Sequence, residues 1–299
     1  MIQDIMKLIS CTFFLLLPFL CFPTSFIMNG EIDQKQEFNF VVKLKINDKS
    51  TCTGFLINPE TVITAAHCIV TADGGTGYSL HKIEVYDGPE ETIEVYKTDL
   101  TNVHSDYLKE SQVGSNTTYT RRSNFDVGFV KLKRPIELDF YPSLELDESF
   151  AKEVNKQESL IAVGYGLYEK QKSICLDKMG RFCLWKNKKG HTTSKERRFT
   201  EILINKKLSI ERNFWVSETS YNQLKNFFTY GVGNLGQTAQ GDSGGPLLRK
   251  SDKTVIGLTI EGLRKSDLDI SLYKSVKVSN ATFLPFQSKQ IADFLLSIP

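Results

Sequence analysis

The chain has 299 residues, of which 40% are hydrophobic and 24% charged, with a formal net charge of +2. These proportions are ordinary for a globular protein and exclude a disordered or fibrous chain. The length suits one large domain or two small ones, and nothing in the composition points to a nucleic-acid partner.

Taken in chain order, the first element is an apolar run at residues 9–21, behind Lys7. It has the length of a signal-peptide core and is too short for a comfortable bilayer span. We read residues 1–26 as a signal peptide, although Pro23-Thr-Ser25 matches the small-residue cleavage pattern only moderately. No second run of this kind follows. Residues 27–299 are therefore expected to be one exported, soluble domain without a transmembrane segment, most simply a monomer.

Short β-like segments follow, separated by turns: Phe40–Ile46, Lys82–Tyr86, Thr92–Tyr96, Leu160–Val163 and Thr254–Ile260. Their number and spacing predict an all-β sandwich or barrel. At the C-terminus Ile291, Phe294, Leu295 and Ile298 form an i, i+3, i+4, i+7 stripe, which predicts a helix packed on the β structure. No internal repeat is present.

The most informative stretch is Ala239-Gln-Gly-Asp-Ser-Gly-Gly-Pro-Leu247. Three glycines around one serine let the backbone fold tightly enough to present a hydroxyl and aim amide N–H groups beside it. Gly-Asp-Ser-Gly-Gly also satisfies the nucleophile elbow of lipases and esterases, but there the histidine follows the serine. Here His67, His81, His104 and His191 all precede Ser243. The elbow reading fails, and the order is that of His, Asp, then Ser.

The candidate base is His67, in Thr64-Ala-Ala-His-Cys68, where two alanines leave room for close packing. His81 and His191 lie in polar surroundings and read as surface residues, and His104 as a partly buried strand residue. The orienting acid should be buried, where it holds the imidazole tautomer and stabilises the imidazolium. Asp126 suits this best, because it opens the apolar, strand-like run Asp126–Leu132. The other aspartates considered between His67 and Ser243 stand in polar or turn-like stretches.

These pieces resemble a secreted trypsin/chymotrypsin-like serine protease. The likeness rests on Cys52-Thr-Gly-Phe-Leu, Val62–Cys68, Asp126–Leu132, Val163-Gly-Tyr-Gly166, Gly241–Leu247 and Val255–Gly262, all in order. It implies two six-stranded antiparallel β-barrels with a C-terminal helix and an active site in the cleft between the barrels. It implies His67 as general base, Asp126 as its orienting acid and Ser243 as nucleophile, with the N–H groups of Gly241 and Ser243 forming an oxyanion hole. The activity implied is peptide-bond hydrolysis through an acyl-enzyme on polypeptide substrates, without metal or other cofactor. The alternative is a protease homologue that has become a binding or regulatory module, though such chains usually lose a triad residue.

Further expectations come from the same likeness. A disulfide is implied between Cys52 and Cys68, which leaves Cys175 and Cys183 to close a local loop. Four zinc ligands are a weak alternative, because no Cys-x-x-Cys spacing occurs. Ala239 stands where relatives commonly carry a cysteine, so the pocket is less cross-linked. The specificity pocket would be lined by Gln237, Ile260, Glu261 and Gly262. A neutral Gln237 at its floor disfavours Lys or Arg, because a buried cation without a partner is expensive. Glu261 would either supply a carboxylate near the pocket entrance, which keeps a basic preference open, or stand as an exposed rim residue.

Ile27-Met-Asn-Gly30 is similar to the start of mature family members and lies 40 residues before His67. By resemblance its freed α-ammonium would pair with Asp242. Phe26 precedes it, so an activator cutting after Lys or Arg cannot release this end.

Two insertions depart from the family. Residues 170–198 carry ten Lys or Arg against Asp177 and Glu196, a local charge of +8. Such asymmetry suits an anionic partner, or simply a solvated loop. The other insertion, between His104 and Asp126, contains the sequon Asn116-Thr-Thr; Asn280-Ala-Thr is a second.

Overall fold

The computed structural model describes residues 30–72, 77–87, 91–153, 160–169, 191–202, 215–216, 238–261 and 282–299. Ile27, Gln237, Gly262, Cys175, Cys183, Asn280 and residues 1–26 lie outside the described residues.

The first half of the chain forms a six-stranded antiparallel sheet. Its strands are β2 (Val41–Ile46), β3 (Ser50–Asn58), β4 (Thr61–Thr64), β7 (Ile83–Asp87), β8 (Glu91–Glu94) and β11 (Gly128–Lys131). They run in the order β11-β4-β3-β2-β7-β8. Just beyond the two edge strands, Val95 bridges Leu132, and Tyr96 N–H donates to the Lys131 carbonyl at 2.9 Å. The edges thus meet and the sheet closes into a barrel, which removes exposed strand edges.

Barrel strands bury alternate residues deeply. In β2, Val41, Val42, Leu44 and Ile46 are buried while Lys43 and Lys45 are half-exposed. The β2–β3 connection has Asn47 and Asp48 at φ of 48° and 58°, the left-handed region that these two residues tolerate better than most.

The second half builds a seven-stranded antiparallel sheet. Its strands are β1 (Glu31–Ile32), β12 (Leu160–Gly164), β15 (Arg198–Ile202), β16 (Trp215–Val216), β17 (Pro246–Arg249), β18 (Val255–Glu261) and β19 (Thr282–Pro285). The order is β1-β15-β12-β17-β18-β19-β16. Six strands are implied by the resemblance, and the seventh described strand is the two-residue β1 on the edge of β15. It is pinned there by Asp33, whose carboxylate accepts from Arg197 Nε at 2.8 Å and from the Glu37 and Phe38 amides. Arg198 is also buried and meets Glu196 at 3.5 Å. Two of the ten cations in the basic segment are therefore consumed inside the fold. The segment 170–190 springs from a short ladder of β13 (Leu167–Glu169) with β14 (His191–Thr193).

One apolar cluster runs from the barrel into the second sheet and onto the C-terminal helix α2 (Lys289–Leu296). Ile291 and Leu295 are buried as the stripe predicts, and Ile298 packs on the same core from just beyond the helix end. His104 is more buried than expected. Its ring lies 4.7 Å from Phe125 and 5.4 Å from Phe294, and Nε2 is 3.2 Å from the Gln290 carbonyl. It ties the helix to the barrel rather than facing solvent, and burial pulls its pKa down. His81 is half-buried, with Nδ1 3.1 Å from the Cys68 carbonyl. No helix among the described residues is long and apolar enough to cross a membrane.

Candidate active site

His67 sits in the single-turn helix α1 (Ala66–Ile69), immediately after barrel strand β4. Ala65, Ala66, Cys68 and Ile69 are all buried around it, so the small residues do let this turn sink into the core. Cys52 and Cys68 form the expected disulfide, which fastens β3 to the turn. Among the described residues, Cys52, His67 and Cys68 are the grouping with metal-ligand spacing. Sulfurs committed to a disulfide are not thiolate ligands.

Asp126 closes a 3₁₀ turn, Ser123–Phe125, and lies two residues before β11. The sequence reading placed it at the start of the strand; the apolar run proper begins at Val127, and the turn aims the carboxylate sideways. Its Oδ2 lies 2.7 Å from His67 Nδ1, and its Oδ1 accepts the His67 backbone N–H at 2.9 Å. One carboxylate thereby fixes both the ring and the backbone of the histidine, leaving Nε2 as the nitrogen not engaged by Asp126.

The electrostatics of His67 follow from burial and three charged neighbours. Burial lowers its pKa, but the charge and hydrogen bond of Asp126 outweigh this and the net shift is upward. Exposed Arg121 pulls down from one side, and half-buried Glu261 pushes up from the other. Glu261 is thus not merely a rim residue: its carboxylate lies within electrostatic reach of the imidazole.

Ser243 belongs to the turn between Ala239 and β17 and is half-exposed. Gly241 and Gly244 have φ of +104° and +84°, the left-handed region in which a side chain would be strained. A Cβ on Gly244 would also stand 2.2 Å from Thr64 Oγ1 and 2.8 Å from the Ala65 nitrogen. The serine turn is therefore pressed against the residues just before His67. Among the described residues neither the Gly241 nor the Ser243 N–H donates a hydrogen bond.

Thr53, on β3, is a contributor that the sequence reading missed. Fully buried, it donates from Oγ1 to the Gly241 carbonyl at 2.9 Å and accepts the Tyr165 N–H at 3.1 Å. Its backbone N–H donates to the Ser243 carbonyl at 2.9 Å. One barrel residue thus holds three points of the second half, two of them in the serine turn.

Asp242 is fully buried behind the serine. It accepts the Gly166 N–H at 2.6 Å and the Ala239 N–H at 2.8 Å. Burial nevertheless raises its pKa to about 7, against those two bonds. No cation among the described residues pairs with it.

Of the predicted pocket residues, Ile260 is buried and Glu261 half-buried at the end of β18. The hairpin of β9 (Leu108–Val113) and β10 (Asn116–Arg121) fills the insertion before Asp126. It leans on the smaller hairpin of β5 (Val70–Ala72) and β6 (Tyr78–Leu80) through Tyr119 and Tyr78, with rings 5.4 Å apart. Asn116 is exposed at its turn.

A closed barrel, a second antiparallel sheet and the His67, Asp126 and Ser243 segments at their junction define a trypsin-like serine protease fold. Residues 27–282 match the model of the Trypsin family, and the chain belongs to that family. It is similar to a solved structure described as HL collagenase, at 16% identity and a TM-score of 0.52, over 86% of this chain and 93% of that one. It is similar too to the scabies mite inactivated protease paralogue S-D1, at 14% identity and a TM-score of 0.51, over 90% and 97%. At these identities the likeness is one of fold.

Proposed function

We propose that the protein is a secreted serine endopeptidase that cuts polypeptides through an acyl-enzyme on Ser243. The observation that carries this reading is the doubly bonded His67–Asp126 pair, with contacts of 2.7 Å and 2.9 Å. A carboxylate that holds Nδ1 selects the tautomer in which Nε2 accepts a proton. His67 would take the Ser243 hydroxyl proton and return it to the leaving amine. The Gly241 and Ser243 N–H groups would receive the oxyanion, a role that suits donors with no other acceptor among the described residues.

Residues 1–26 would be the signal peptide and 27–299 the enzyme, exported and monomeric. The Cys52–Cys68 disulfide favours an oxidising compartment. The Ile27 α-ammonium, freed by signal peptidase or by a protease that accepts Phe26, would pair with Asp242. A buried carboxylate already raised to about 7 gains most from such a partner. The neutral Gln237 would set a preference for neutral side chains before the cut. The basic segment 170–198 would draw an anionic partner, and Cys175 with Cys183 would close a loop within it.

One kinetic experiment tests chemistry and preference together. Ser243→Ala should retain the fold and lose turnover by roughly 10⁶-fold, with His67→Ala about as damaging and the double variant little worse. Peptides with a neutral residue before the scissile bond should be cut better than Lys or Arg peptides. A Ser243→Ala protein that keeps a substantial fraction of activity sinks the nucleophile assignment; a profile dominated by Lys and Arg sinks the role of Gln237 and points to Glu261.

A further inference from the structure

On the barrel, the β2–β3 hairpin and Lys195 enclose a cavity of about 290 Å³ whose walls carry Lys43, Lys45, Lys49 and Lys195. Asp48 also lines it, but that carboxylate is engaged by Lys45 at 3.2 Å and Lys82 at 3.7 Å. Glu84 holds the same two lysines, at 3.6 Å and 2.9 Å. Lys43, Lys49 and Lys195 have no acidic partner among the described residues.

Of these cations, Lys43 is fixed by a hydrogen bond, while Lys49 and Lys195 are exposed. Lys43 is half-buried and its Nζ donates to the Ser194 carbonyl at 3.0 Å, which sets it beside Lys195. The two like charges repel: burial and the charge of Lys195 together lower the Lys43 pKa. Lys49 follows the Asn47-Asp48 turn, which is fastened by its amide to Ile46 and by the Asn47 side chain to the Lys82 N–H at 2.8 Å. Thr51 and Tyr86 also line the cavity, with the Thr51 hydroxyl donating to Thr193 Oγ1 at 3.3 Å.

We propose that this cavity binds a tetrahedral oxyanion, a sulfate or phosphate ester carried on a larger ligand. Such a group would accept charge-assisted hydrogen bonds from Lys43 and Lys195 and relieve their repulsion, with Lys49 closing over it. Lys195 is also an exposed cation of the basic segment 170–198, whose net charge of +8 draws anions toward the cavity. This inference does not depend on the protein being an active peptidase.

The test is a binding titration of the purified full chain with a sulfated oligosaccharide, its desulfated counterpart and inorganic phosphate, at low and high salt. The sulfated oligosaccharide should bind, more weakly at high salt, and the desulfated one should not. Lys49→Glu with Lys195→Glu should weaken binding by at least about tenfold. Lys97→Glu with Lys109→Glu changes net charge equally at exposed sites elsewhere, and should leave affinity within about twofold. Should the first pair lower the unfolding temperature, Lys195→Gln alone provides the comparison and should also weaken binding. Phosphate that competes would identify a site for either ester, and phosphate that does not would identify the sulfated glycan as the source. Absence of binding by both anions, or equal loss in the two paired variants, overturns the proposal.

Discussion

At the residue scale, His67 is set between opposing charges. Asp126 and Glu261 raise its pKa above the ordinary 6.5, while burial and Arg121 lower it. A general base must be neutral, so the acid limb of kcat/KM should reflect this raised value and activity should climb as pH passes it. Glu261→Gln removes a charge that favours the imidazolium and should move the limb to lower pH. Arg121→Gln should move it to higher pH. Matching limbs in both variants and the parent would remove these groups from the account.

Asp242 gives a second pH dependence, of opposite origin. Its folded value of about 7 exceeds the unfolded value of 3.8, so without a partner the native state binds more protons between these limits. Stability should then fall as pH rises from about 4 to 7, by a few kcal/mol, and level off above. Pairing with the Ile27 α-ammonium removes that decline. Denaturant unfolding across this range should separate protein that begins at Ile27 from protein that keeps Phe26; superimposable profiles would mean that the ammonium does not reach Asp242.

His67, Asp126 and Ser243, the proposed triad, stood out as candidates because short residues crowd the histidine, three glycines crowd the serine, and their order excludes the elbow. Thr53 did not. A threonine in a strand reads as ordinary β propensity, and its bonds reach Gly241, 188 positions away.

At the element scale, β segments such as Phe40–Ile46 and Lys82–Tyr86 were readable from their residues and spacing, and the C-terminal helix from its stripe. Two features were not. A two-residue strand such as β1 has no period to read, and the turn that presents Asp126 hides against the apolar run after it. The His104 contacts with Phe125 and Phe294 likewise join residues that only the folded chain brings together.

The junction between the halves hangs on β3. Thr53→Val keeps the shape of that strand but removes its bonds to the Gly241 carbonyl and the Tyr165 N–H. A buried carbonyl that loses its donor costs about 1–3 kcal/mol. We expect lower stability by that order and, separately, slower acylation, because the serine turn loses its anchor. Thr53→Ser should restore both. A Thr53→Val protein with unchanged stability and acylation rate would show that the turn is held by other contacts.

At the scale of the whole molecule, the all-β architecture was present in the sequence, and the barrel followed from the resemblance that its ordered motifs carry. The seventh strand and the charge consumed by Arg197 and Arg198 were not readable there, since a net count of +8 does not say which cations fold inward. The central claim is that these parts assemble a competent nucleophile at Ser243. It is tested most directly by treating the folded protein with a serine-directed phosphonate and locating the adduct by peptide mass spectrometry. One phosphonate per molecule is expected, on Ser243, abolished by Ser243→Ala and strongly slowed by His67→Ala. Folded protein that never labels, or labels on another residue, would contradict it and favour a family member that binds rather than cuts.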